Sequence, residues 1–150
     1  MGLIDDFATK RLYLDTSIFI YSIEQYPDFK AVTTELIEAV SQATLGAITS
    51  ELTLSEALVL PIRLGNLATQ RRFENAIQTA GGLLVVPIER QILFKAAELR
   101  AAQQSLKTPD AIHLATALEA NCDVFLTNDS RIKSADLEVV TLASLVGLKS

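Results

Sequence analysis

The strongest constraint on this chain is an alternation. Short runs of apolar and β-branched residues, Arg11-Leu14, Gly46-Thr49, Leu83-Val86, Val124-Thr127 and Leu137-Val140, recur between longer segments of helical period. Asp28-Ala43 sets Val32, Leu36, Ile37, Ala39 and Val40 on one stripe, and Glu89-Gln104 does the same with Ile92, Leu93, Ala96, Ala97 and Leu99. Ser50-Leu64, Leu67-Ala80 and Pro109-Asn121 read as three further helices, with Gly65, Gly81 and Gly82 placed where helices should stop. Brief, wholly apolar strands are buried on both faces, and parallel neighbours need crossovers of about a dozen residues or more. The pattern therefore predicts an α/β sandwich around a mostly parallel sheet.

With 150 residues, 49% of them hydrophobic, the chain is long enough to bury a substantial core and shape a cleft against it. No repeat, low-complexity tract or Gly/Ser linker marks a boundary, so one domain over 1-150 is expected. Cys122 has no second cysteine to pair with, and a single histidine excludes a zinc site built from several His and Cys ligands. No apolar run reaches the roughly 18 residues of a membrane helix, and Met1 leads into Gly-Leu-Ile-Asp-Asp rather than a basic then apolar segment. These features point to a reducing, cytoplasmic setting away from membranes. The net charge of −5 argues against a nucleic-acid binder that relies on a broad basic surface. It does not argue against a nuclease, because carboxylates that repel phosphate attract it once divalent ions sit between them.

In open α/β sheets the ligand crevice lies beyond the carboxyl ends of the strands, and acids stand there. Asp15 directly follows Arg-Leu-Tyr-Leu, Asp129 follows Val-Phe-Leu-Thr-Asn, and Asp110 falls in the first turn of a helix that Thr108 can cap and Pro109 can start. Each has an ordinary explanation beside a functional one. Asp15 can cap a helix, although Thr16 and Ser17 would serve equally well; Asp110 suits a helix dipole whatever else it does; Asp129 is a typical turn acid that Arg131 can neutralise. Glu56 has Leu52, Thr53, Val59 and Leu60 one turn away, an apolar face on which an ionised glutamate must enter a polar cleft, bind a cation or carry its stem out to solvent. Converging carboxylates would repel one another unless cations were bound. Ligands offering oxygen alone favour magnesium or manganese over zinc.

Four motifs stand in order: Tyr-Leu-Asp-Thr-Ser, Ser-Glu-Leu-Thr-Leu-Ser-Glu, Thr-Pro-Asp-Ala-Ile-His-Leu-Ala-Thr-Ala and Phe-Leu-Thr-Asn-Asp. Together, from about Arg11 to about Leu145, they resemble a PIN domain, with the VapC-type toxins of toxin-antitoxin pairs as the nearest group. The resemblance implies a three-layer α/β/α sandwich with about five strands. It matches Asp15, Glu56 and Asp110 to the family's three principal acids, Asp129 to a more variable fourth, and Ser17 and Thr127 to the small polar residues that hold acids or water. It further implies a magnesium- or manganese-dependent endoribonuclease acting on RNA, a small antitoxin that inserts a segment into the cleft, and a homodimer. A non-catalytic PIN-like module that binds protein or RNA remains as the alternative. A phosphatase with Asp15 as nucleophile would want a second acid two residues on, where Ser17 stands. His113 reads as a packed residue behind the acids rather than a general base. Arg71, Arg72 and Lys107 read either as phosphate-steering groups or as a solvated face. The segment Ser50-Ala80 reads either as core or as a dimer face, and alanine at Asp15 is expected to abolish cleavage with the fold intact.

Overall fold

The computed structural model describes residues 2–149. Helices α1 (Leu3–Phe7), α2 (Thr16–Ile23), α3 (Lys30–Ser41), α4 (Glu51–Arg63), α5 (Leu67–Ala76), α6 (Arg90–Ala102), α7 (Thr108–Glu119) and α8 (Leu142–Lys149) surround strands β1 (Arg11–Leu14), β2 (Gly46–Ser50), β3 (Leu83–Val86), β4 (Val124–Thr127) and β5 (Glu138–Thr141). The strands form one sheet in the order β3-β2-β1-β4-β5, and every neighbouring pair is parallel.

Side chains along a strand alternate between faces, and here both faces are apolar. Leu12, Leu14, Val124 and Leu126 join Phe7, Phe19 and Leu36 in one core, covered by α1, α2, α3 and α8. Tyr13, Ile48 and Phe125 point the other way, into a second core with Ile92, Ala96 and Ile112 from α6 and α7. Tyr13 is in register with Phe125 and stacks on it, ring centroids 5.0 Å apart and planes 9° from parallel. Each such ring, fully buried, contributes about 1.5–3 kcal/mol of transfer free energy, so the two cores together outweigh any single polar contact in the molecule. The result is the three-layer α/β/α sandwich, with its sheet parallel throughout.

Several boundaries differ from the sequence reading for local reasons. Lys107 is the N-cap of α7, which puts Thr108 at the first helical position and Pro109 at the second; no side chain caps that end. Helix α5 stops at Ala76, short of Ala80, because Ile77 leaves helical geometry (φ −102°, ψ 71°) to enter the core. Gly65, at φ 66°, does end α4. Gly81 and Gly82 end no helix and instead turn the chain into β3. Strand β5 begins at Glu138 rather than Leu137. Helices α1 and α8 carry no clear amphipathic stripe, and in α2 the apolar run Ile18-Phe19-Ile20 follows directly on Thr16 and Ser17, so periodicity did not mark them. Segment 50–80 is divided between roles: Ala57, Pro61, Phe73 and Ile77 are buried, whereas Val59, Ile62, Leu64 and Leu67 are more than half exposed.

The turn into β3 is tight. Gly82 donates its N–H to Val40 O at 2.8 Å, and a Cβ at this position would stand 2.2 Å from Leu45 O, against backbone that cannot swing aside. Gly82→Ala is therefore expected to lower stability by about 1–3 kcal/mol through overpacking, read as an earlier urea midpoint. An unchanged midpoint would mean that the turn is free to lift from α3.

Candidate active site

The strand order reverses its winding direction between β1 and β4, which is where an open parallel sheet leaves a crevice at its carboxyl edge. α2 leaves β1 over one face and α7 packs on the other, so their first turns flank that crevice. Asp15, Asp110 and Asp129 line it, with Ser17, Thr127 and Arg131 between them. Lys107 lies on the adjoining groove, again beside Asp110 and Asp129.

Asp15 is 8% exposed. Its N–H donates to Leu126 O at 3.1 Å, carrying the β1–β4 pairing one residue past the strand. Its carboxylate accepts from Ser17 N–H at 3.0 Å and from the hydroxyls of Ser17 and Thr127. Asp15 is thus the N-cap of α2, and neither Thr16 nor Ser17 takes that place. Ser17 Oγ in turn accepts from Asn128 N–H at 3.2 Å, and the Asn128 amide donates to Tyr21 Oη at 2.9 Å. Burial pushes the Asp15 pKa above the usual aspartate value, against the Ser17 and Thr127 hydrogen bonds that favour the charged form.

Asp129 is the opposite case. Arg131 grips it with Nε at 3.0 Å and Nη2 at 2.9 Å, and that contact holds the carboxyl below its usual value. The Arg131 side chain is 78% exposed, so the pair contributes little to stability even though it neutralises one acid of the crevice. The backbone N–H of Asp129 donates to Thr127 Oγ1 at 3.0 Å, which links this acid to Asp15 through one hydroxyl.

Glu56 arrives from α4, its side chain one-third exposed. Oε1 accepts from Thr16 Oγ1 at 2.6 Å and from His113 Nε2 at 2.7 Å. Burial raises the Glu56 pKa, but these bonds outweigh it and leave the group below its usual value. Asp110 has no hydrogen bond to its carboxylate among the described residues. Burial, then the charges of Asp129 and Glu56, push its pKa up, with His113 opposing them. His113, 3% exposed, is a packed residue between Glu56 and Tyr13. Arg71 and Arg72 are exposed on α5 and do not line the groove that Lys107 lines.

The donors are all hard oxygens, which suits magnesium or manganese. No group of three or more acidic, His or Cys side chains is close enough to enclose an ion among the described residues. Magnesium does not need such an enclosure: it commonly binds through one or two carboxylates and keeps water or phosphate oxygens for the rest. Asp15 and Asp110, neither in a salt bridge, are a pair of that kind. Cys122 is a poor alternative centre, because burial pushes its thiol up to about 12. Thr16, Tyr13 and Asn128 were not singled out from sequence. Thr16 stood inside the Asp-Thr-Ser motif, but nothing local marks a phenol that meets a histidine 100 positions later.

The PIN domain family model matches residues 12–138. Curated proteins give no match to the sequence. Among solved structures, the chain is similar to a toxin–antitoxin complex from Klebsiella pneumoniae (23% identity over 87% of this chain and 97% of that one, TM-score 0.66). It is also similar to VapBC2 from Rickettsia felis bound to a promoter DNA fragment (17% identity, 87% and 98%, TM-score 0.68). A third is VapC20 from Mycobacterium tuberculosis, a toxin described as cleaving the sarcin-ricin loop (16% identity, 76% and 86%, TM-score 0.63). Identities this low carry the fold, and the family rests on the domain match, which spans the two central strands, every acid of the crevice and most of the sheet. The chain belongs to the PIN-domain family.

Proposed function

We propose that this chain is a single-domain, magnesium- or manganese-dependent endoribonuclease, the toxin of a type II toxin–antitoxin pair, acting in the cytoplasm. The observation that carries the reading is the convergence of Asp15, Asp110 and Asp129 on one open crevice at the carboxyl edge of the sheet, with Glu56 within electrostatic reach. Similarity to toxin–antitoxin complexes supports a small antitoxin partner, and similarity to a sarcin-ricin-loop toxin supports RNA as the substrate class. The exposed apolar side chains Val59, Ile62, Leu64 and Leu67 support a homodimer face on α4 and α5. Among the described residues, no helix is long and apolar enough to cross a membrane.

In this reading Asp15 and Asp110 would hold the divalent ion directly, and Glu56 and Asp129 would complete the set through water. The bound ion supplies a Lewis acid that activates water and offsets charge on the phosphate. Ser17 and Thr127 keep the Asp15 carboxylate in one orientation, so no reorganisation is needed when substrate arrives. Lys107 provides positive charge at the rim for RNA phosphates. A binding module that does not cut is the second reading, favoured by one observation, the neutralisation of Asp129 by Arg131.

Cleavage of a mixed pool of labelled RNAs separates the two. Cutting is expected with magnesium or manganese, none with EDTA, and a loss of at least about a hundredfold in Asp15→Asn. Asparagine is the better probe, because alanine would also remove the α2 cap, worth about 1 kcal/mol, and leave the Ser17 and Thr127 donors without an acceptor. Cutting that survives in Asp15→Asn, or in EDTA, would defeat the assignment.

The Asp110 carboxyl gives a second test. Its folded pKa is raised, so its ionisation opposes folding: the stability it contributes is complete below the ordinary aspartate value of about 4 and is lost as pH rises through the raised folded value. Asp110→Asn should therefore melt higher than wild type at neutral pH. The gap should be small, roughly 1–3 °C because the group is half exposed and screened, and should close toward pH 4. Magnesium should stabilise wild type more than the variant. A variant that melts lower at neutral pH would mean that the α7 dipole outweighs the repulsion.

A further inference from the structure

The chain leaves α2 by a turn that lays one tyrosine over another. Gln25 takes a left-handed backbone (φ 52°), and the N–H of Tyr26 reaches back to Tyr21 O at 3.2 Å. A helix closed in this way sets the second residue past its C-cap against the side chain three positions inside it. Here that pair is aromatic. The Tyr21 and Tyr26 rings lie 4.6 Å apart between centroids, and Phe29 backs Tyr21 at 5.2 Å.

The inner ring belongs to the crevice. Tyr21 lines it together with Asp15, Asp110 and Asp129, and its hydroxyl accepts from the Asn128 amide at 2.9 Å. The outer ring, Tyr26, is 43% exposed. Closing the turn asks only for apolar bulk at that position, so the exposed aromatic surface is left over from that task. Phe94, the other exposed aromatic ring among the described residues, stands on α6 with the Arg90 guanidinium over it and does not line the crevice. A chain of net charge −5 gains little from broad phosphate neutralisation, so an RNA substrate needs a source of affinity that does not depend on charge. A ring face is such a source, because every base can stack on it.

We propose that Tyr26 is a base-stacking platform: an unpaired base flanking the scissile phosphate lies on its exposed surface, with Tyr21 holding the ring beside the crevice wall. The inference rests on the reading of the crevice as an RNA-cutting site and adds the kind of RNA, one with an unstacked base next to the cut. Bases inside a duplex already stack on their neighbours and offer no free face, so loops, bulges and single strands are favoured. Stacking reads no base edge, so the platform discriminates weakly among the bases.

The probe is a short oligouridylate with fluorescent 2-aminopurine at one position, moved along the chain in turn, beside a matching set with an abasic spacer there. Uridines stack weakly, so 2-aminopurine stays bright until it meets a ring. Binding is measured with magnesium to the Asp15→Asn protein, chosen so that the RNA is not cut. At one position the probe should bind about 5–100-fold more tightly than its abasic match, and its fluorescence should be quenched. Adding Tyr26→Leu, which keeps apolar bulk against Tyr21, should abolish the quench and the advantage while leaving abasic binding unchanged, and Tyr26→Phe should restore both. A Tyr26→Leu protein that keeps the advantage overturns the inference, as does a parent with no advantage at any position; either result favours a protein as the occupant of the exposed ring. An equal loss on both sets marks altered folding rather than lost stacking, and overturns it too. A parent that binds neither set also overturns it, and cleavage of the mixed RNA pool by wild type shows separately whether the RNA-cutting reading falls as well.

Discussion

The crevice and its acids hang from the pairing of β1 with β4. These strands are adjacent in the sheet yet more than 100 residues apart in sequence, so their register decides where Asp15 stands relative to Thr127 and Asp129. Leu14 opposite Leu126 sets Asp15, the residue after β1, beside Thr127, the last residue of β4. The Asp15 N–H bond to Leu126 O and the Thr127 bond to the Asp15 carboxylate then close the seam. A slip of one residue would also turn Tyr13 and Phe125 out of their shared core, so the packing of two stacked rings holds the polar edge in place.

Four carboxylates so placed are an electrostatic burden, and the chain handles each differently. Asp15 is buried and answered by hydroxyls and a backbone N–H, which orient it without supplying charge. Glu56 is answered by a threonine and a histidine, Asp129 by an arginine two residues away. Asp110 is the one with no direct partner among the described residues, and it faces the charges of two of the others. The unrelieved repulsion is therefore concentrated at a single group in the first turn of α7, where the helix dipole softens it.

Much of the fold was legible because apolar runs and helical stripes report burial, and burial is what the two cores require. Strands β1, β3 and β4 begin and end where the pattern of Arg11-Leu14, Leu83-Val86 and Val124-Thr127 places them. What escaped was structure held by contacts distant in sequence. The helix at Leu3–Phe7 is too short to show a period, and Gly81 and Gly82 are set by close packing against the backbone of Val40, Ser41 and Leu45 at the turn into β3 rather than by a helix of their own. In the crevice, the positions of the acids followed from the ends of strands and the start of a helix. Their internal bonding did not: Asp15 serves as cap and crevice acid at once, two readings that sequence can pose only as alternatives. The Tyr13–His113–Glu56 string depends on a strand, a helix and a second helix meeting, and no local signal encodes that meeting.

The Asp129–Arg131 grip has a consequence for how the protein comes into being. Many small metal proteins fold only when the ion arrives, because their ligands have nothing else to bind. Here one acid carries its own counter-charge from birth, two more are satisfied by hydroxyls and an imidazole, and two hydrophobic cores are complete without the crevice. Folding therefore does not wait on a cation: the chain can leave the ribosome, fold and persist with three of its four acids already answered by its own side chains.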